Sequence, residues 1–392
     1  MKILKIATYD WKNASRDKRE LSTYQEMGHE IIVLCKGNDD DRLREDSVDG
    51  YNVLRLTTKP LGNKCPTFFN KIINLYTWVK YVIKISPDVI SGENIQGALV
   101  GALAKSIIKS KKVKLIYDAH EFHIYDAVES DIKRFFLKVI ERFILKSASF
   151  TIVVNDSILN GMKNIYKFNW NAVVVMSMPL LSTIDYSKVK DIRDYYNSKI
   201  NVNGNKFIIE FHGYITKPRN VEMLIELLTI NNNLSLVLIG EVVGDSYKES
   251  LIKLIEGYNL SDRVLFIEPM AVDKLYNYLN ATDIGIVIYK NTDTNYYFMS
   301  PNKFFENIQA ENPMVCSEYP ELTKVINKYN IGITVKEYDI YKINECIEKM
   351  RIDNSLYKQF KKNLKIAKND LCWEKEKNKL IEAFKEFIEI KG

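Results

Sequence analysis

Short β-branched runs alternate with amphipathic segments along almost the whole chain, the pattern of βαβ units wound around parallel sheets. In the first half, KILKIA, IIVLC, NVLRL, DVI, KLIYD, FTIVV and AVVVM read as strands. The pattern restarts with KFIIEF, LSLVLI, RVLFI, DIGIVI, PMVC and GITV. Between the two sets, residues 180–205 are polar and end in an Asn/Gly cluster, which predicts a linker. The expected organisation is α/β: one doubly wound domain over 1–185 and a second over 205–370, facing a cleft, with ligands at the carboxyl ends of the strands. Residues 371–392 then form a helix with Leu380, Ala383, Phe384 and Phe387 on one face, which either packs on the second domain or crosses back to the first.

Two amphipathic segments of the first half stand out. DIKRFFLKVIERFILKS puts Ile132, Phe135, Phe136, Val139, Ile140, Phe143 and Ile144 at helical spacing, a stripe expected to dock on a sheet. Residues 59–85 carry five lysines and no acid, interleaved with Phe68, Phe69, Tyr76, Trp78 and Tyr81. That segment reads either as another docked helix or as a face for an anionic membrane surface.

Composition narrows the function classes. The chain has 392 residues, 46% hydrophobic and 27% charged, enough for two cores. Its net charge of +6 is too mild to imply nucleic acid, and no RNA-binding signature accompanies the aromatic segment. Five cysteines without a CxxC pair argue against a disulfide framework and against structural zinc, and fit a reducing cytoplasm. No apolar run reaches membrane-spanning length.

Candidate chemistry gathers at strand ends. LIYDAHEFH closes a buried strand at Asp118 and leaves His120, Glu121 and His123 in the following loop, without a visible third ligand for a metal. In FHGYITKPRNVEMLIELL, Gly213 permits a tight turn, and Lys217 and Arg219 precede a helix that buries Val221, Leu224, Ile225 and Leu228. In MSPNKFFENIQ, Ser300 is expected to cap a helix and Pro301 to open it, yet the first turn holds Lys303. A cation is unfavourable at the positive end of a helix unless an anion joins it. Two basic βα junctions suggest one pyrophosphate gripped from two helices, the bland alternative being solvated loop charges. LVLIGEVVGDS places Gly240 and Gly244 after a strand, but neither a G-x-G-x-x-G nor a phosphate-loop ending occurs. The Asp run at 39–41 reads as a solvated loop.

Taken in order, these pieces resemble the family 4 glycosyltransferases, retaining enzymes of the GT-B fold. RDKRELSTYQEMGHEIIVLC resembles their first helix and second strand, YDAHEF the histidine loop, and GYITKPRNVEMLIELL the phosphate-binding turn. DRVLFIEPMAVDKLYNYLNATDIGIV is similar to their nucleotide segment, and MSPNKFFENIQAENPMVCSEYPEL to the subgroup with a PNK-x-x-E sequence. The resemblance implies a nucleotide diphosphate sugar on the second domain, a glycan acceptor on the first, a tail helix from Trp373 that crosses back to the first domain, and no metal or other cofactor. It sets Arg219 at the diphosphate, Glu306 at the ribose hydroxyls, His120 near the donor sugar, and Glu268 to Met270 beside the base. Gly213, Tyr214, Gly240, Ser300 and Asn302 complete the expected donor site.

The chain departs from the family's pattern at three places. Phe298 stands where the first of two paired glutamates is expected, with seven residues between it and Glu306. Tyr214 replaces a basic residue after the turn glycine, and YDWKNASRDKRE replaces a glycine-rich first loop. Lys303 is therefore expected to supply the missing phosphate charge, with Arg16 or Arg19 contributing near the first loop and Glu121 and His123 on the acceptor side. The implied activity is sugar transfer with retention in bacterial surface-glycan assembly, on a lipid-linked acceptor. The alternatives are a nucleotide-sugar epimerase on the same fold and a non-catalytic protein that binds a nucleotide sugar or a partner.

Overall fold

The computed structural model describes residues 1–11, 15–37, 44–57, 59–60, 62, 66–108, 112–122, 130–200, 207–336 and 338–389. The Asp run at 39–41, His123 and the Asn/Gly cluster at 201–205 lie outside the described residues. The chain divides into two compact units. One comprises Met1–Ser177, Asp293–Asn295 and Glu376–Gly392; the other comprises Met178–Thr292 and Tyr296–Lys375.

The first unit runs β1 (Lys2–Ala7), α1 (Ser15–Glu26), β2 (Glu30–Lys36), β3 (Arg44–Val48), β4 (Tyr51–Leu56), α2 (Thr67–Ile85), β5 (Val89–Glu93), α3 (Asn94–Ile107), β6 (Lys114–Ala119), α4 (Asp131–Ser147), β7 (Phe150–Val153), α5 (Asp156–Ile165) and β8 (Ala172–Val174). Its sheet has the order β3-β4-β2-β1-β5-β6-β7-β8, parallel except for the β3–β4 pair. The order reverses between β1 and β5, so the crevice at their carboxyl ends is the place for polar side chains. Strand β3, REDSV, escapes an apolar-run reading because it is a polar edge, a composition that discourages further pairing. The tail seals this unit from Glu376 onward: Leu380 and Phe384 are fully buried, Phe384 lies 5.0 Å from the Tyr24 ring, and Glu376 accepts from the Met176 N–H at 2.8 Å.

The second unit runs α6 (Tyr186–Ile200), β9 (Phe207–His212), α7 (Glu222–Ile230), β10 (Leu234–Ile239), α8 (Asp245–Gly257), β11 (Val264–Ile267), α9 (Val272–Asn280), β12 (Ile284–Val287), the end of α10 (Thr294–Tyr297), α11 (Asn302–Gln309), β13 (Met314–Ser317), α12 (Pro320–Tyr329), β14 (Gly332–Val335), α13 (Ile340–Ile352), α14 (Asn354–Asp370) and the start of α15 (Trp373–Phe387). Its strand order is β11-β10-β9-β12-β13-β14, all parallel, with the reversal between β9 and β12. Val221, Leu224, Ile225 and Leu228 are buried beneath this sheet, on the face that their spacing predicts.

Two expectations are corrected. The stretch 180–205 holds α6, whose Tyr196 and Ile200 are buried in a core cluster with Leu275 and Leu279. Val189, Ile192, Tyr196 and Ile200 recur at helical spacing within the polar stretch and pack on that cluster, whose other members come from elsewhere in the unit. The stripe on α4 also faces away from the sheet: Ile132, Phe135, Phe136, Val139 and Phe143 are exposed, while Glu141, Ile144 and Leu145 are buried.

Candidate active site

In the second unit, four strand ends carry the expected donor residues. Gly213 and Gly240 follow β9 and β10 with φ of +99° and +135°, and a Cβ on Gly240 would stand 2.2 Å from the Gly213 carbonyl oxygen. Only glycine suits that contact and that backbone. Ile215 and Val242 then bridge, zipping the two loops together. Tyr214 is exposed after the turn, and Lys217–Arg219 form a 3₁₀ turn ahead of α7. Glu268 is exposed just beyond β11, whereas Met270 packs against the core.

Beyond β12, helix α11 begins at Asn302. Ser300 does not cap it: the capping position is Pro301, with extended backbone and no side-chain bond. Lys303 is buried, its ammonium 3.3 Å from the centroid of the Phe211 ring and 5.5 Å from that of Tyr289. The Arg219 guanidinium lies 5.1 Å from the same Tyr289 centroid. Burial first, then repulsion from Arg219, lowers the Lys303 pKa to about 7 against the opposing pull of Glu210 and Glu306. An aromatic face attracts a cation but cannot neutralise it.

Glu306, one turn further on, is held by a partner that sequence reading missed. His212 is buried at the end of β9, its Nε2 3.0 Å from Glu306 and its Nδ1 2.9 Å from Glu210. Burial would lower the His212 pKa, but Glu210 and then Glu306 outweigh it and push it up to about 9. The ring is thus an imidazolium that donates to a carboxylate on each side. The signal was present: in FIIEFH, positions 210 and 212 share one face of a strand, and two polar residues interrupt an apolar run.

Phe298 lies ahead of α11, half-buried, with its ring 5.5 Å from that of Tyr297. Tyr297 lines a cavity of about 280 Å³ with Tyr289, Ser317, Glu318 and Tyr319, at the carboxyl ends of β12 and β13.

The first unit holds a different constellation, around the β1/β5 reversal. Lys5, fully buried, sits 2.8 Å from Asp17, 2.8 Å from Asp118 and 3.5 Å from Glu20. Arg16, expected to contribute near the first loop, belongs to this network: Nη2 reaches Glu20 at 2.9 Å and Asp118 at 3.3 Å, Nη1 donates to the Val175 carbonyl at 3.2 Å, and Nε lies 3.1 Å from His120 Nε2. His120 bridges Asp118 at 2.8 Å and Glu93 at 3.1 Å, and Tyr9 donates to Asp17. Burial opposes protonation of His120, yet Asp118 holds its pKa up to about 10 despite Arg16. Glu20 is pushed up to about 7 by burial and by Asp118. Ligand-type atoms of Asp17, Asp118 and His120 lie within 4.8 Å of one another, but the charge that neutralises the two acids is the Lys5 ammonium. Arg19 stands 3.5 Å from the Ser177 hydroxyl, and Glu121 is exposed in the loop after β6. Lys5, inside KILKIA, was the missed signal here.

Residues 193–367 match the family described as Glycosyl transferases group 1. No curated protein matches it. Several solved structures share its architecture. Sucrose-phosphate synthase from Thermosynechococcus elongatus is 15% identical with a TM-score of 0.76, covering 100% of both chains. Anabaena Alr3699/HepE in complex with UDP-glucose is 16% identical with a TM-score of 0.73, covering 98% of this chain and 100% of that one. WaaG, a glycosyltransferase involved in lipopolysaccharide biosynthesis, is 15% identical with a TM-score of 0.64, covering 97% of this chain and 99% of that one. At these identities the likeness establishes the fold, two α/β domains with parallel sheets as in GT-B glycosyltransferases.

Proposed function

We propose that this protein is a glycosyltransferase of family 4 type, in its PNK-x-x-E subgroup, which moves a sugar from a nucleotide diphosphate sugar to an acceptor hydroxyl with retention. The observation that carries this reading is the convergence of Arg219, Lys303 and the start of α11 on the Tyr289 ring, one helical turn from a tethered Glu306. Two cations and a helix N-terminus suit a diphosphate, and a fixed carboxylate suits a ribose diol. The group 1 domain and the UDP-glucose held by HepE support the same donor class.

In such a transfer a nucleoside diphosphate departs with negative charge while the anomeric carbon becomes cationic. Arg219, Lys303 and the amides opening α11 would stabilise the leaving phosphates without a metal, so turnover should survive EDTA. Glu306 is engaged by His212, which leaves it a poor covalent nucleophile. The reading is therefore same-face attack, with the leaving phosphate taking the acceptor's proton. His120 enters as a proton-bearing group, its ring held between Asp118 at 2.8 Å and Glu93 at 3.1 Å, which keep its pKa up against burial and the Arg16 guanidinium 3.1 Å from Nε2. The acceptor proposed is a lipid-linked intermediate of bacterial surface-glycan assembly, reached from the cytoplasmic side.

A thermal-shift panel of nucleotide sugars, followed by turnover of the best binder with candidate acceptors and NMR of the product, tests the reading. Stabilisation by a donor and a product of unchanged anomeric configuration support it; an inverted product refutes retention. Conversion of the nucleotide sugar without acceptor would instead indicate an epimerase. Phe298, apolar where an acid was expected, favours a second reading: a non-catalytic binder, for which a donor would bind without transfer or hydrolysis across the panel.

A further inference from the structure

The outward stripe on α4 has no use in the donor site. At about 100° per residue, Ile132, Phe135, Phe136, Val139 and Phe143 fall within an arc of roughly 100°, opposite the buried Glu141, Ile144 and Leu145. Ile132 is 70% exposed, Phe135 62% and Phe136 59%. Helix α2, which packs against α3 as α4 does, adds Phe68, Phe69, Ile72 and Tyr76, all more than half exposed on its N-terminal part. Exposed aromatic residues in such number mark an interaction surface.

The surrounding charge indicates what covers it. Helix α2 carries Lys71, Lys80 and Lys84 and no acid. On α4, Lys133, Lys138, Arg142 and Lys146 flank the stripe; Asp131 pairs with Arg134 at 2.8 Å, and Glu141 is buried between the Tyr117 and Tyr166 hydroxyls. Beside the C-terminal end of α4 lies an open hollow of about 780 Å³ lined by Lys146, Lys163, Lys167, Phe168 and Trp170, with no acid in its lining. A second copy of the chain would oppose basic rim to basic rim. Among the described residues no helix is long and apolar enough to cross a membrane, so the arrangement suits lying on one.

We propose that α4, with the exposed part of α2, docks on an anionic bilayer: the aromatic stripe enters the interface and the lysine-lined hollow receives lipid phosphates. Burial of rings in the interface gives affinity for any bilayer, and the rim selects anionic headgroups. The proposal does not rest on the glycosyltransferase reading, because binding is measured without donor or acceptor.

The test is co-flotation of the full chain with phosphatidylcholine vesicles, with and without phosphatidylglycerol. Binding should be at least tenfold tighter with phosphatidylglycerol and should weaken with salt, about fivefold per engaged lysine. Phe135→Ser with Phe136→Ser should reduce binding to both vesicle types about tenfold or more. Lys146→Glu with Lys163→Glu should reduce it only where phosphatidylglycerol is present. Unchanged circular dichroism and thermal unfolding establish that the variants are folded, and the lipid dependence of the unaltered protein stands without them. Failure to float with phosphatidylglycerol vesicles, or equal binding by the aromatic variant, overturns the proposal. So does an aromatic variant that dissolves a dimer in sedimentation while no vesicle binding exists.

Discussion

Lys5 and Lys303 are both buried, one among acids and one among aromatic rings, and their surroundings push them in opposite directions. Lys5 in the first unit has three carboxylates within 3.5 Å; burial opposes its charge, yet Asp118, Asp17 and Glu20 raise its pKa well above the ordinary value. Lys303 in the second unit faces two aromatic rings, with its nearest carboxylates shared with His212, and burial lowers it to about 7. The first cluster is closed upon itself, cation to anion. The second is short of negative charge at its centre, and a ligand that brings phosphates would complete it. On the proposed reading, Lys5, already supplied with carboxylates, is structural, and Lys303, left with rings, is the one that meets an anion.

The largest test of this contrast is Lys5→Met. It leaves Asp17 and Asp118 buried and adjacent without their shared cation, and should cost about 3–5 kcal/mol of stability. Hydrogen exchange is the suitable measure, because a two-unit chain need not unfold in one step. Protection should fall in β1, β5 and β6 and persist in β9, β10 and β12. Loss of protection in both units alike would mean that the cluster does not belong to the first unit alone.

Lys303→Met should do the reverse. Replacing a desolvated ammonium with a thioether should leave stability equal or higher, while kcat/KM with the nucleotide sugar falls about 30- to 1,000-fold, or roughly 2–4 kcal/mol. A folded Lys303→Met enzyme with unchanged kinetics would remove the lysine from catalysis and dissolve the contrast.

How far these sites could be read from sequence follows from how local their causes are. Strands buried on both faces declare themselves as apolar runs, so both sheets were legible, the polar edge β3 excepted. The α4 stripe was legible as a stripe, but periodicity reports that a face is apolar and not what covers it, which is why it was expected against the sheet. Lys303 and Glu306 could be singled out as candidates because they share one short segment with a helix start. His212 was not, because the carboxylate that gives it meaning comes 94 residues later. The network around Arg16 was hidden for the same reason: its acceptors, Asp118 and the Val175 carbonyl, are distant in sequence.

A pH titration sharpens the contrast with a smaller effect. Below pH 7 Lys303 is protonated in the free and the donor-bound protein, so donor affinity should be flat. Above pH 7 the free protein loses that proton and binding must restore it, so Kd should rise by up to about tenfold per pH unit until the bound state's own pKa is reached. A nucleotide sugar suits the calorimetric measurement better than a free nucleoside diphosphate, whose terminal phosphate titrates nearby. The rise should vanish in Lys303→Met, and its persistence there would assign the titration to another group.

The smallest effect concerns the tether. His212 stays protonated up to about pH 9 and donates to both acids; its contribution to stability is complete below 6.5 and lost as pH rises through 9. Glu210→Gln removes the largest charge that opposes the effect of burial, so the imidazole should lose its proton nearer the ordinary 6.5. A neutral ring has one N–H: if it serves the introduced amide, a lone pair turns toward Glu306 and the carboxylate is released. Because Glu210 also holds up the Lys303 pKa, the comparison is made in the Lys303→Met background. Relative to Lys303→Met at the same pH, adding Glu210→Gln should leave donor affinity unchanged at pH 6 and weaken it at pH 8 by about 2- to 10-fold, the worth of one hydrogen bond at roughly 0.5–1.5 kcal/mol. Equal weakening at both pH values would mean that Glu210 acts through packing, and no weakening at pH 8 would mean that Glu306 needs no tether to meet the donor.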